Sequence, residues 1–152
     1  MVDLVTDGLI GGHWIAGQAR FVVTNPASGA IIADVANLGP VQTVEAIDAA
    51  EKALPAWSAL TAKARSAILM RWNALILENT EVLAELVTAE QGKPLNEARG
   101  EVAYGAAFIE WFAEEAKRSY GHTIPTTASS KRMMSIKQPV GVCAAITPWN
   151  FP

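Results

Sequence analysis

Few side chains in this 152-residue sequence have the chemistry for a site. Near its end, Pro148-Trp149-Asn150-Phe151-Pro152 sets a large aromatic and an amide between two prolines. A carboxamide offers a fixed donor dipole and carries no proton it would lose near neutral pH. Just before it, Val140 to Ile146 is an uncharged run of small and β-branched residues, suited to a strand buried on both faces of a parallel sheet. Pro148 supplies no ladder donor and ends that run. A buried strand that delivers an amide at its C-terminal edge places it where open α/β sheets bind ligands. The same residues also read as a strand end closed by a tight proline-rich turn. Cys143, the single cysteine, falls among Val142, Ala144 and Ala145 and reads as core, where a thiol is chemically quiet. His13 flanks a tryptophan and His122 a loop, with no cysteine or aspartate cluster to make a metal site. Glu97, Glu101, Glu110, Glu114 and Lys117 are spread around one predicted helix and read as a solvated face.

The elements that must position these residues begin with antiparallel strands between Gly11 and Leu38. His13–Ala16, Phe21–Thr24 and Ala30–Val35 are separated by Gly17-Gln18 and by the turn Asn25-Pro26-Ala27-Ser28-Gly29. Helices follow. One is expected over Val41–Leu54, stopped by Pro55. The next spans Ala62 to about Glu78, capped by Thr61, with Ile68, Leu69, Trp72, Leu75 and Ile76 as its apolar stripe. Thr80 caps a shorter one in which Leu83, Leu86 and Val87 face inward, and Gly92 suits its C-terminal cap. The longest runs from Leu95 to about Ser119 with Ala98, Val102, Gly105, Ile109, Phe112 and Ala116 on one face. Small Gly105 and Ala106 would let another backbone come close. Beyond Gly121 the chain is extended, with a polar turn over Thr126–Ser130 and a half-exposed strand over Arg132–Lys137.

Composition is that of an ordinary globular domain, half hydrophobic and under a fifth charged. The net charge of −3 gives no reason to expect nucleic acid or an anionic membrane as a partner. Every acid lies before Gly121, while the remainder holds Lys131, Arg132 and Lys137, which suit either an anionic ligand or a solvated hairpin. Met1-Val2-Asp3 lacks the basic start of a signal peptide, no apolar run is long enough for a membrane span, and one cysteine suits a reducing compartment. A cytoplasmic location is the expectation.

Pro139-Val140-Gly141-Val142 followed by Thr147-Pro148-Trp149-Asn150-Phe151-Pro152 resembles the signature of the NAD(P)-dependent aldehyde dehydrogenase superfamily. Thr88-Ala89-Glu90-Gln91-Gly92-Lys93-Pro94-Leu95, with Glu97, Ala98 and Glu101, is similar to that family's helix-turn-helix segment. Glu110 to Arg118, Tyr120-Gly121 and Thr123-Ile124-Pro125 are most similar to its succinate-semialdehyde dehydrogenase branch. The resemblance starts near Ile10, reaches the last residue, and covers only the amino-terminal part of such an enzyme. It implies an α/β fold in three parts. Residues 1–120 would belong to the cofactor-binding domain, 121–139 to an oligomerisation arm that pairs with a neighbouring subunit, and 140–152 to the first core strand and its loop. It implies NADP or NAD as cofactor, a small aldehyde as substrate and a homo-oligomer. Ile146, Thr147, Pro148, Trp149 and Asn150 would line the cofactor cleft, and the Asn150 amide would be an oxyanion donor. No nucleophile or general base matches the family's within these residues, so the 152-residue chain is expected not to turn over alone. Succinate semialdehyde is the implied substrate and glutarate semialdehyde, one methylene longer, its near rival. A catalytically silent module that keeps the arm for pairing with full-length subunits is the alternative of another class.

Overall fold

The computed structural model describes residues 4–152, so the reading of Met1-Val2-Asp3 lies outside the described residues. Strands come first. β1 (Gly8–Ile10) and β2 (His13–Ile15) form a hairpin around Gly11-Gly12, pairing Leu9 with Trp14. β1 is an addition to the sequence expectation, because three residues are too few to show alternation. β3 (Ala19–Thr24) and β4 (Ile31–Asn37) pair antiparallel with Phe21 opposite Val35. Their turn is built by Asn25, whose side-chain oxygen accepts from the backbone N–H groups of Ala27 and Ser28 at 2.9 and 3.2 Å. Such Asx geometry is why asparagine suits this position. Arg20 joins the two hairpins, donating to Asp7, to the Thr6 hydroxyl and to the Asp34 carbonyl.

α1 (Pro40–Ala59) opens with a proline at its first position, where the missing N–H costs nothing. It does not stop at Pro55. The proline removes one intrahelical bond, to the Glu51 carbonyl, but its neighbours keep helical geometry and the helix runs four residues further. α2 (Ala62–Glu78) has the expected bounds, with the Thr61 hydroxyl accepting from the Ala64 N–H at 3.2 Å. α3 (Thr80–Gln91) is preceded by Asn79 rather than capped by Thr80, whose hydroxyl donates back to the Leu77 carbonyl at 2.8 Å. It ends at Gly92, where φ of +76° is a left-handed conformation that disfavours a side chain. α4 (Leu95–Glu115) then packs on α2 and α3 and tightens into a 3₁₀ turn over Ala116–Arg118.

The helical core is made of small residues. Ala84, Ala98, Ala106 and Ala113 are buried, together with Ser66 and Asn73. The Asn73 amide donates to the Ala106 carbonyl at 2.8 Å, so α2 and α4 approach closely at Ala106. Gly105, by contrast, faces open space. The expected stripes hold in part: Ala98 is buried, and Leu69, Ile76, Val102, Ile109 and Ala116 are half-buried. On α2 the packed face carries Ser66 and Asn73, leaving Ile68, Trp72 and Leu75 exposed; on α4 Phe112 is exposed and Ala106 and Ala113 are buried instead. The fully buried positions are small residues and one amide, while the large aromatics of both helices stay exposed. β5 (His122–Ile124) and β6 (Met133–Ser135) close the chain's ordered ribbon, antiparallel and exposed throughout.

Candidate functional site

Val140 to Ile146 forms no strand within the described residues. A parallel strand exists only by pairing with neighbours, and β1 to β6 all pair among themselves. Gly141, at φ of +124°, also turns the backbone away from strand geometry at the second residue of the run. As a result Val140 is 91% and Ile146 100% exposed, not buried on both faces. Cys143 follows the same correction. It is exposed rather than core, and its thiol's one polar contact is local, 3.8 Å from the Gly141 carbonyl.

Asn150 lies in a tight turn. The Phe151 N–H donates to the Pro148 carbonyl at 3.1 Å, which places Trp149 and Asn150 at the two central positions. Both are exposed, and Trp149 is 83% so. From Val140 to Thr147 no backbone–backbone hydrogen bond forms among the described residues. The N–H and C=O groups beside Ile146 and Thr147 are therefore free for a neighbouring strand or a ligand. The exposed amide thus stands next to open backbone donors and acceptors that a ligand or a neighbouring strand could pair with.

One side chain hydrogen-bonds the turn to the helical layer. Lys93 Nζ donates to the Asn150 backbone carbonyl at 2.8 Å. The same ammonium pairs with Glu101 and sits 4.2 Å from the centre of the Phe151 ring. Gly92 and Pro94 flank Lys93 in the α3–α4 connection, and Glu101 lies on the second turn of α4. The Lys93 and Glu101 side chains are only 15% and 13% exposed, so Glu101 is no solvated charge as its helix pattern suggested. The spacing of Lys93 and Glu101 along the chain was visible in the sequence; the contact with Asn150, 57 residues away, had no local signal. Nearby, Arg99 forks onto Glu81 through bonds of 2.8 to 3.0 Å and holds that carboxyl below the usual carboxylate range. This pair ties the first turn of α3 to α4. His13 and His122 sit in β2 and β5, and no group of three metal-ligating side chains gathers among the described residues. No helix among them is long and apolar enough to cross a membrane.

Comparison with known proteins places this arrangement. A glutarate-semialdehyde dehydrogenase from Pseudomonas putida is 61% identical over 145 residues, which is 94% of this chain and 30% of that protein. A succinate-semialdehyde dehydrogenase [NADP(+)] from Escherichia coli is 57% identical over 95% of this chain and 30% of its own length. The crystal structure of an NADP-dependent enzyme from Escherichia coli superposes with a TM-score of 0.95 at 55% identity, over 97% of this chain and 31% of that one. The chain thus spans about a third of the length of the relatives it matches. Residues 14–152 match the aldehyde dehydrogenase family, and the α/β arrangement of small antiparallel sheets and four helices is that of the amino-terminal part of its solved members; the chain belongs to the aldehyde dehydrogenase family.

Proposed function

We propose that this chain is the amino-terminal segment of an enzyme that oxidises a semialdehyde bearing a distal acid group, with NAD or NADP as acceptor. The observation that carries the reading is Asn150, whose exposed amide stands in a turn beside unpaired backbone, within a segment matched over nearly its whole length by semialdehyde dehydrogenases. Aldehyde oxidation of this kind proceeds by addition of a thiolate to the carbonyl, loss of a hydride, and hydrolysis of the thioester. The nicotinamide, when bound, accepts the hydride. What this chain contributes is electrostatic. As the thiolate adds, the carbonyl oxygen becomes an oxyanion, and the Asn150 N–H donates to it. A neutral amide suits the task because it stabilises developing charge without giving up a proton. Ile146, Thr147, Pro148 and Trp149 carry the open backbone against which the dinucleotide lies.

Residues 121–139, with the β5–β6 ribbon, form the arm through which subunits pair, which accords with its exposure on every residue of both strands. Succinate semialdehyde is the substrate this reading names first. The relative at 61% identity favours glutarate semialdehyde as the second, and one methylene separates the two by only about 1–3 kcal/mol in a pocket.

The test is Asn150→Ala in the full-length enzyme, assayed with both semialdehydes and both cofactors. Loss of one oxyanion donor, about 3 kcal/mol, lowers kcat by about 100-fold while KM moves little. An unchanged kcat would make Asn150 a turn residue and remove it from the chemistry.

A further inference from the structure

The turn that carries Asn150 has one backbone hydrogen bond of its own, from Phe151 to Pro148. Trp149 is exposed and Phe151 half-covered, so packing holds the turn only in part: Phe151 lies beside Glu97, Gly100 and Tyr104 of α4, and Pro152 beside Ile76 and Val102. Among the described residues the turn's one hydrogen-bonded link to the folded body runs through Lys93. An ammonium has three donors and no acceptor. Here it pairs with Glu101, donates to the Asn150 carbonyl, and faces the Phe151 ring at a distance suited to cation–π attraction. Three directions around one nitrogen thus fix the position of one backbone carbonyl. The base of the tether is also constrained, since Lys93 stands between the left-handed Gly92 and Pro94, whose φ is −54°. Glu101 neutralises the ammonium in a mostly covered setting, so the lysine is held as part of the helical layer.

We infer that Lys93, oriented by Glu101 and Phe151, is a positioning residue for Asn150: by holding the Asn150 carbonyl it sets the direction in which the Asn150 amide meets the oxyanion. This rests on the reading of Asn150 given above. The carbonyl carbon is two bonds from the Asn150 Cβ, so releasing it lets the whole residue swing. A misplacement near 1 Å in a reacting geometry costs about 100-fold in rate. Because the effect passes through the amide alone, it should vanish once the amide is gone.

The experiment is a double-mutant cycle in the full-length enzyme, with Lys93→Met, Asn150→Ala and the pair, each checked for thermal stability and saturated with cofactor. Lys93→Met is expected to lower kcat by about 10- to 100-fold with KM for the aldehyde changed less than about threefold, and to have less than about a twofold effect in the Asn150→Ala background. Lys93→Arg, which keeps a cation and donors, should recover part of the loss. Should Lys93→Met fail to fold, Glu101→Gln combined with Asn150→Ala gives the same cycle with a smaller first step. A normal kcat for Lys93→Met beside an impaired Asn150→Ala overturns the inference and leaves the role of Asn150 intact. An equal loss in both backgrounds shows a general structural role and also overturns it. A normal kcat for Asn150→Ala defeats the reading of Asn150 itself, and the inference with it.

Discussion

A folded monomer of 16.2 kDa should expose about 7,500 Å² of surface. This chain exposes 11516 Å². The excess, about 4,000 Å² on one chain, is at least as large as one partner's share of an obligate interface. Its sources are the β5–β6 ribbon, the unpaired run beyond Val140, and the apolar faces of α2 and α4, where Trp72, Tyr104, Phe108 and Trp111 are all exposed. Unpaired backbone and contiguous apolar surface invite association. The 152-residue chain alone is therefore expected to be oligomeric or aggregation-prone at micromolar concentration. A chain shortened to end at Ser119 loses the ribbon and the unpaired run while keeping all four helices, and should associate less. Size-exclusion chromatography with light scattering, at matched concentrations of the two, measures this directly. A clean monomer for the longer chain would refute the reasoning. Equal association of both would move the cause from the ribbon and tail to the helix faces.

Two further outcomes concern the helical layer. Asn73→Ala removes a hydrogen bond donated at 2.8 Å into the α2–α4 contact and leaves a small void, so stability should fall by about 2 kcal/mol, while Asn73→Leu, which refills the volume, costs less. Denaturation followed by tryptophan fluorescence decides it, and an unchanged midpoint for the alanine variant counts against the bond. The second is a pH dependence. Arg99 lowers the Glu81 pKa in the folded state, so the pair's stabilisation is present above the ordinary carboxylate value, about 4.3, and is lost as pH falls through the lower folded value. The Tm of the native chain should exceed that of Glu81→Gln at neutral pH by a small margin that closes in acid; a margin constant down to about pH 2 would contradict it.

Local signals were the legible part of the fold. Thr61 marked the start of α2 and Gly92 the end of α3, because a cap is a contact between residues a few positions apart. Asn25 and Gly29 marked their turn for the same reason. Pro55 misled, since a proline weakens one rung of a helix without dictating what the following residues do. The helix faces misled in part. Periodic hydrophobicity reports which side of a helix something apolar covers, and on α2 and α4 it found Ala98 and the half-buried Leu69, Ile76, Val102 and Ile109 but also took in Trp72 and Phe112, which stay exposed. Val140–Ile146 reads as a strand from its residues, but pairing is a property of neighbours and not of the run itself. At the candidate site, the sequence singled out Asn150 by its place between two prolines and by family resemblance, and the structure adds that it stands in a tight turn. The lysine that holds it was not singled out, because nothing near Lys93 in the chain announces a partner 57 residues on.

The alanine seam inverts the usual rule for a hydrophobic interior. Ala84, Ala98, Ala106 and Ala113 act as spacers, and the distance between α4 and its neighbours is set by methyl groups rather than by filled volume. In most cores a leucine can replace an isoleucine, and shrinkage does the damage. Here enlargement does. A valine or leucine at Ala106 would wedge α4 from α2, stretch the Asn73 bond, and tilt the helix on which Glu101 rides. Serine, small enough to pass, should be the gentlest replacement. The order of tolerated residues along this seam thus runs by size before polarity, as it does where helices meet inside a lipid bilayer.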